Sequence, residues 1–448
     1  MEKTVNYKIL SVAILVFVVL LYWPLFENYQ AQKALALLIL VAILWITEAV
    51  PLALTGLLIP VLASFMQLVT AGSAFDEFAH PIIFLFMGSF VLAGALSQYA
   101  LDKMLAQKLI RLARGNFYRS AVLLMFATSI AACWVSNTSS VAMMIPLALG
   151  MLVLVQKDIV SPESKFLMLG IAYSANIGGV VTMVSSPPNA IGAAILGLSF
   201  SEWIAYALPV YLITFPIMVI VLTMYFKPDK KMKISTMVVE QTVGAPIKTL
   251  GTIFLLTVVL WMMDAVISPL MNIAEGFNSL VAVFTIFLLY LCRVLSWQAI
   301  LKSIQWDVLL LFGGGLTLGA IIDSSGLGTL LIGQVSQLIT TVPLFLFLLV
   351  IVLFSVILTE FMSNTASAAL MLPLLYTLAI ELQINPMILV FPATIGASYG
   401  FMMPVGTPPN AMVFGTGLVP RLAMIKVGFL LNLLFSLILT TFFYLVFS

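Results

Sequence analysis

Two short polar clusters stand inside apolar sequence, Ser136-Asn137-Thr138 and Ser363-Asn364-Thr365. Each is followed by small residues and then an apolar-proline pair, Ile145-Pro146 and Leu372-Pro373. Farther along, Ser185-Ser186-Pro187-Pro188-Asn189 matches Gly406-Thr407-Pro408-Pro409-Asn410. Serine, threonine, asparagine and free backbone carbonyls offer neutral oxygens, which suit a hard cation. Proline lacks an N–H and disrupts a continuing helix, so the Pro-Pro pairs predict helix breaks near 185–189 and 406–410. A helix N-terminus at such a break presents free N–H groups and partial positive charge, which suits a carboxylate or another oxyanion. Helix capping alone would also account for a single Ser-Asn-Thr triplet. Duplication of the whole series argues for a site.

The elements carrying these clusters follow from composition. Of 448 residues, 63% are hydrophobic and only 8% charged, with mean hydropathy +1.20. A soluble chain carries about 25% charged residues. This is therefore an all-α polytopic membrane protein embedded in a lipid bilayer. Runs such as 35–46 and 430–447 lack the alternation of barrel strands. Eleven spans are expected, at 9–26, 34–48, 51–69, 82–98, 164–184, 204–226, 248–267, 278–293, 308–324, 387–404 and 422–446. Two further stretches, 120–152 and 343–379, are interrupted by the Ser-Asn-Thr clusters and read as re-entrant hairpins. The first span has no cleavage site after it and reads as retained.

Basic residues in short loops mark the cytoplasmic side. With the N-terminus inside, every Lys and Arg except Lys33 falls on that side. Residues 100–114 form an amphipathic pattern, expected to lie in the cytoplasmic interface. The two hairpins then enter from opposite sides, so the duplicated series form inverted repeats, the architecture of secondary transporters. The expected organisation is a first span at 1–32, one repeat at 33–226, a cytoplasmic linker at 227–247 and a second repeat at 248–448. Phe86 to Ala95 and Leu311 to Ala320 match within it. Gly313-Gly314-Gly315 lacks a following Lys and reads as close helix packing.

No Lys or Arg occurs from 120 to 156 or from 303 to 420. An anion held between the hairpins would have no basic counter-ion there, and unpaired charge at membrane depth is costly. Binding cations with the anion resolves this and implies symport. Sodium fits better than protons, because neutral oxygens abound and titratable groups are few. Glu360 is the exception. It reads either as a proton carrier or orienter of the hairpin tip, or as a paired structural carboxylate. One histidine, His80, and two cysteines, Cys133 and Cys292, exclude His-rich metal chemistry and a disulfide framework. No H-E-x-x-H or G-x-S-x-G occurs, which argues against an enzyme. A net charge of +2 is too small to suggest a nucleic-acid partner.

At these paired motifs the chain resembles the divalent anion–sodium symporter family, carriers of succinate and related di- and tricarboxylates. The resemblance covers essentially the whole sequence. It implies a homodimer with a scaffold domain at the interface and a transport domain moving in an elevator fashion. It also implies that Ser136, Asn137, Thr138, Ser363, Asn364 and Thr365 bind the substrate, with Ser186-Pro187 and Thr407-Pro408 closing the site. One sodium would lie at Ser136, Asn137 and the carbonyl region of Ser185, where a glycine is usual. A second would lie at Thr359, Asn364 and the carbonyl region of Gly406. Trp134 and Phe361 are expected to pack the hairpin tips. The function implied is sodium-coupled import of a C4-dicarboxylate (succinate, fumarate or malate) across a bacterial inner membrane, with the C-terminus periplasmic. A sodium-independent exchanger and a sodium-coupled citrate or sulfate carrier are the alternatives.

Overall fold

The computed structural model describes residues 5–154, 160–234, 245–273, 276–330 and 342–447. Apart from an isolated bridge between Asn116 and Lys233, no strand occurs among them. The first half holds α1 (Tyr7–Tyr22), α2 (Tyr29–Thr47), α3 (Leu52–Phe65), α4 (Pro81–Gln98), α5 (Leu101–Arg111), α6 (Phe117–Ala132), α7 (Asn137–Val153), α8 (Pro162–Gly178), α9 (Pro187–Leu196) and α10 (Phe200–Phe226). The second holds α11 (Ala245–Met262), α12 (Asp264–Leu270), α13 (Phe277–Leu291), α14 (Trp297–Ser303), α15 (Trp306–Ser324), α16 (Leu344–Phe361), α17 (Asn364–Glu381), α18 (Pro386–Gly396), α19 (Pro408–Gly415) and α20 (Arg421–Phe447).

Six of these helices are long and apolar enough to cross a membrane: α2, α4, α10, α15, α16 and α20. Helices α11 and α12 together would make a seventh, bent by 76° where a straight span at 248–267 was expected. The other expected spans are shorter helices, such as α3 with 14 residues and α13 with 15, or the broken pairs α8–α9 and α18–α19.

The ends of these helices follow from local chemistry. Asn28 caps α2, Ser161 and Ser164 form a capping box on α8, and Ser199 and Glu202 form one on α10. His80 caps α4, its Nδ1 accepting from Ile82 N at 3.3 Å. Lys33, the exception to the charge rule, donates from Nζ to Met66 O at 2.7 Å and lies over the Tyr29 ring. Its charge thus meets the carbonyl end of α3, where the helix dipole favours a cation.

At the duplicated motif the helices break, and the prolines stand at the end of each break. Pro187 and Pro408 open new helices at N1, where a missing N–H costs nothing. The chain is unwound before them, at 179–186 and 397–407.

Packing falls into two groups. In one, α3 crosses α15 and α4 crosses α13. Gly56 faces Gly314 so closely that a methyl group on either would strike the other helix's backbone. The Gly313-Gly314-Gly315 run therefore serves helix contact. In the other group, α6 and α10 pack on α8, α16 on α20, and α17 on both α9 and α18. The groups meet chiefly where α15 touches α17 and where α10 approaches α11 and α12.

Candidate functional site

A cavity of about 1240 Å³ collects the motifs. Ser136, Asn137, Thr138, Ser185, Ser186 and Pro187 line one side, and Ser363, Asn364, Thr365, Gly406, Thr407 and Pro408 the other. Of the expected site residues, only Thr359 is not in its wall. Four helices, α7, α9, α17 and α19, begin here, and their N-caps Ser136, Ser186, Ser363 and Thr407 all line the cavity. Each helix start carries partial positive charge of roughly half an elementary unit. No Lys or Arg is among the described lining residues, so an anion entering here would meet these dipoles rather than a basic side chain.

Oxygens for a cation are also present. Thr359 Oγ1 lies 2.7 Å from Asn364 Oδ1 and 2.7 Å from Ala397 O. One hydroxyl proton can serve only one of these acceptors. The three convergent oxygens fit a small hard cation. In the first half, Asn137 Oδ1 is buried without a hydrogen-bond partner, as are Ser140 Oγ and its counterpart Ser367 Oγ. Ser136 Oγ is committed to capping, accepting from Ser139 N at 3.3 Å, whereas Ser363 makes no side-chain cap.

The unwound segments are held alike. Asn189 Nδ2 donates to Gly179 O and Thr182 O, each at 2.8 Å. Asn410 Nδ2 donates to Gly400 O at 2.9 Å and Met403 O at 3.1 Å. In both cases the acceptors stand ten and seven residues earlier. The last residue of each Pro-Pro-Asn motif thus clamps the loop before it. Their position in the duplicated motif gives these asparagines no role by itself.

The halves differ behind the loops. Glu360 is 2% exposed and accepts from Met402 N at 2.7 Å, Met403 N at 2.8 Å and Asn432 Nδ2 at 2.6 Å. Where a paired carboxylate or an orienter of the hairpin tip was expected, the carboxylate is held by amide donors and anchors the second unwound segment. A Cβ at Gly406 would stand 2.8 Å from Glu360 Oε2, so the carboxylate requires the glycine. Cys133 holds the equivalent place before Ser136 and leaves room for Ser185, whose Oγ lies 2.6 Å from Gly179 O.

Asn176 was not foreseen. It lines the cavity fully buried, and its Nδ2 donates to Thr407 Oγ1 at 3.2 Å, joining the two halves. Tyr173 on the same helix donates to Phe401 O at 2.8 Å. The hairpin aromatics part ways. Trp134 packs edge-on to Phe254 at 5.3 Å, whereas Phe361 is 69% exposed and lines the cavity, against expectation.

Matched broken helices around a shared polar cavity define a membrane transporter. The chain belongs to the citrate transporter family, of the divalent anion–sodium symporter type; that family's model matches residues 42–396. It is 41% identical over 437 residues to an uncharacterized transporter of Haemophilus influenzae, covering 96% of this chain and 94% of that one. It is 32% identical over 467 residues to the sodium-dependent dicarboxylate transporter SdcS of Staphylococcus saprophyticus, covering 95% and 88%. Among solved structures, the Alcanivorax borkumensis YdaH transporter shares the fold with a TM-score of 0.58 at 16% identity, covering 82% of this chain and 86% of that one.

Proposed function

We propose that the protein is a secondary active transporter importing C4-dicarboxylates (succinate, fumarate or malate) together with sodium. The observation that carries this reading is the meeting of four helix N-termini at one cavity with no basic side chain among its described lining residues. Asn137, Thr138, Asn364 and Thr365 would hold the two carboxylates, with Ser136, Ser363, Ser186-Pro187 and Thr407-Pro408 around them. Sodium would bind at Ser136, Asn137 and Ser185, and at Thr359, Asn364 and Gly406. Similarity to a relative named for sodium-dependent dicarboxylate transport supports the choice of ions and solute.

The cavity extends to Asn6, Thr47 and Glu48. The basic-residue pattern assigns that end to the cytoplasm, so this conformation is open inward. The packing group of α6–α10 and α16–α20 would move as the transport domain. The group of α2–α4, α11, α13 and α15 would stay as the scaffold of a homodimer in the inner membrane.

The test is uptake of labelled succinate into proteoliposomes under an inward sodium gradient, compared with potassium or choline. Accumulation with sodium alone is expected. Exchange with preloaded dicarboxylate, without net uptake, would overturn the coupling. The description of the matching family favours citrate as the second reading, and unlabelled citrate in the same assay separates the two.

A further inference from the structure

Asp264 lies at the 76° bend between α11 and α12 and is 3% exposed. Four donors from three elements meet its carboxylate. Oδ2 accepts from Phe200 N at 3.1 Å and Asn278 Nδ2 at 3.0 Å. Oδ1 accepts from Ser201 Oγ at 2.5 Å and Ala265 N at 2.7 Å. Phe200 and Ser201 open α10, and Asn278 is near the start of α13. One buried carboxylate therefore ties the two packing groups together, at the helix end where the dipole of α10 favours an anion.

The joint reaches the transport site. Three residues after Phe200, Trp203 Nε1 donates to Val180 O at 3.0 Å, inside the first unwound segment. The Phe200 ring packs on Trp261 at 4.9 Å and on Trp134, at the first hairpin's turn, at 6.2 Å. Beside Asp264 lies a second cavity of about 1030 Å³, lined also by His80, Gly197 and Asn278. It shares no lining residue with the cavity at Asn137 and Asn364. A buried carboxylate that loses donors is costly, so this joint is strong in one relative position of the two groups and weak in others.

We propose that Asp264 is a latch selective for the conformation open toward Glu48. Its bonds to Phe200 and Ser201 break when the α6–α10 group shifts to open the site on the opposite face. The proposal rests on the alternating access contained in the transporter reading.

The test uses Val405, 80% exposed in the cavity wall, replaced by cysteine in a chain carrying Cys133→Ala and Cys292→Ser. A membrane-impermeant maleimide applied to intact cells labels Val405→Cys only in the outward-open state. Adding Asp264→Asn should raise the labelling rate about tenfold, the population change set by losing hydrogen bonds to a charged group. Ser201→Ala removes one bond, leaves the carboxylate in place and should give a smaller rise in the same direction. Unchanged labelling in Ser201→Ala and in Asp264→Asn, with both chains monodisperse on size-exclusion, would overturn the latch. Labelling needs no transported solute, so that result would leave the uptake test of the transporter reading independent.

Discussion

The side chain of Asn137 lies directly against the backbone of Gly179, so that a Cβ on Gly179 would collide with both amide atoms of Asn137. The first Ser-Asn-Thr turn is thereby set in place by the first unwound segment, across 42 positions of sequence. Gly179→Ala should push the Asn137 amide out of the cavity wall. Uptake should fall about tenfold or more, as for a lost and misplaced polar contact, while the protein stays monodisperse. Uptake within twofold of the unaltered chain would remove Asn137 from the site.

Thr359→Val keeps the shape of the side chain and deletes the oxygen that approaches Asn364 and Ala397 O. The sodium concentration for half-maximal uptake should rise several-fold, with succinate affinity at saturating sodium unchanged. A change in succinate affinity alone would place Thr359 with the anion.

Glu360→Gln replaces one acceptor oxygen with an NH₂ group facing donors. At least one of the bonds from Met402 N, Met403 N or Asn432 Nδ2 must break. The cost of an unsatisfied buried donor is about 1–3 kcal/mol. Thermal unfolding in detergent should shift downward by several degrees, and uptake should be lost even at high sodium. Retained uptake would show that the second unwound segment does not need this anchor.

Asn189→Ala leaves Ser185 Oγ as the one remaining donor for Gly179 O and Thr182 O, and Asn410→Ala leaves Gly406 N on Met403 O, so each variant strips the donor from one carbonyl of an unwound segment. Because the clamps are alike, both variants should lower thermal stability by similar amounts, about 1–3 kcal/mol for each carbonyl left buried without a donor. Differential scanning fluorimetry with and without sodium reads this directly. A large loss in one variant and none in the other would show that only one clamp is under load.

Much of the candidate site was legible in the sequence because its parts are duplicated. Ser136 to Thr138 and Ser363 to Thr365 announced themselves by recurrence, and the structure brings them to one cavity. The limits of the unwound segments were less legible. Proline marks a discontinuity in the helix without saying on which side the disorder of φ and ψ lies, and here Pro187 and Pro408 are N1 residues. The bend at Met263 was invisible, since no Gly or Pro occurs from 252 to 267 to mark it. Glu360 and Asp264 were single acidic residues in apolar sequence. What distinguishes them is the set of donors around each, which comes from distant parts of the chain.

The eight residues that cap and open the four helix starts, Ser136, Asn137, Ser186, Pro187, Ser363, Asn364, Thr407 and Pro408, carry no titratable group. Their positive field is made of peptide dipoles and persists across the whole physiological pH range. A proton added to the medium therefore acts on the solute's carboxyl groups rather than on these receivers. Each solute should then impose its own acid profile on transport, so that succinate and citrate, measured on the same preparation, decline at different pH.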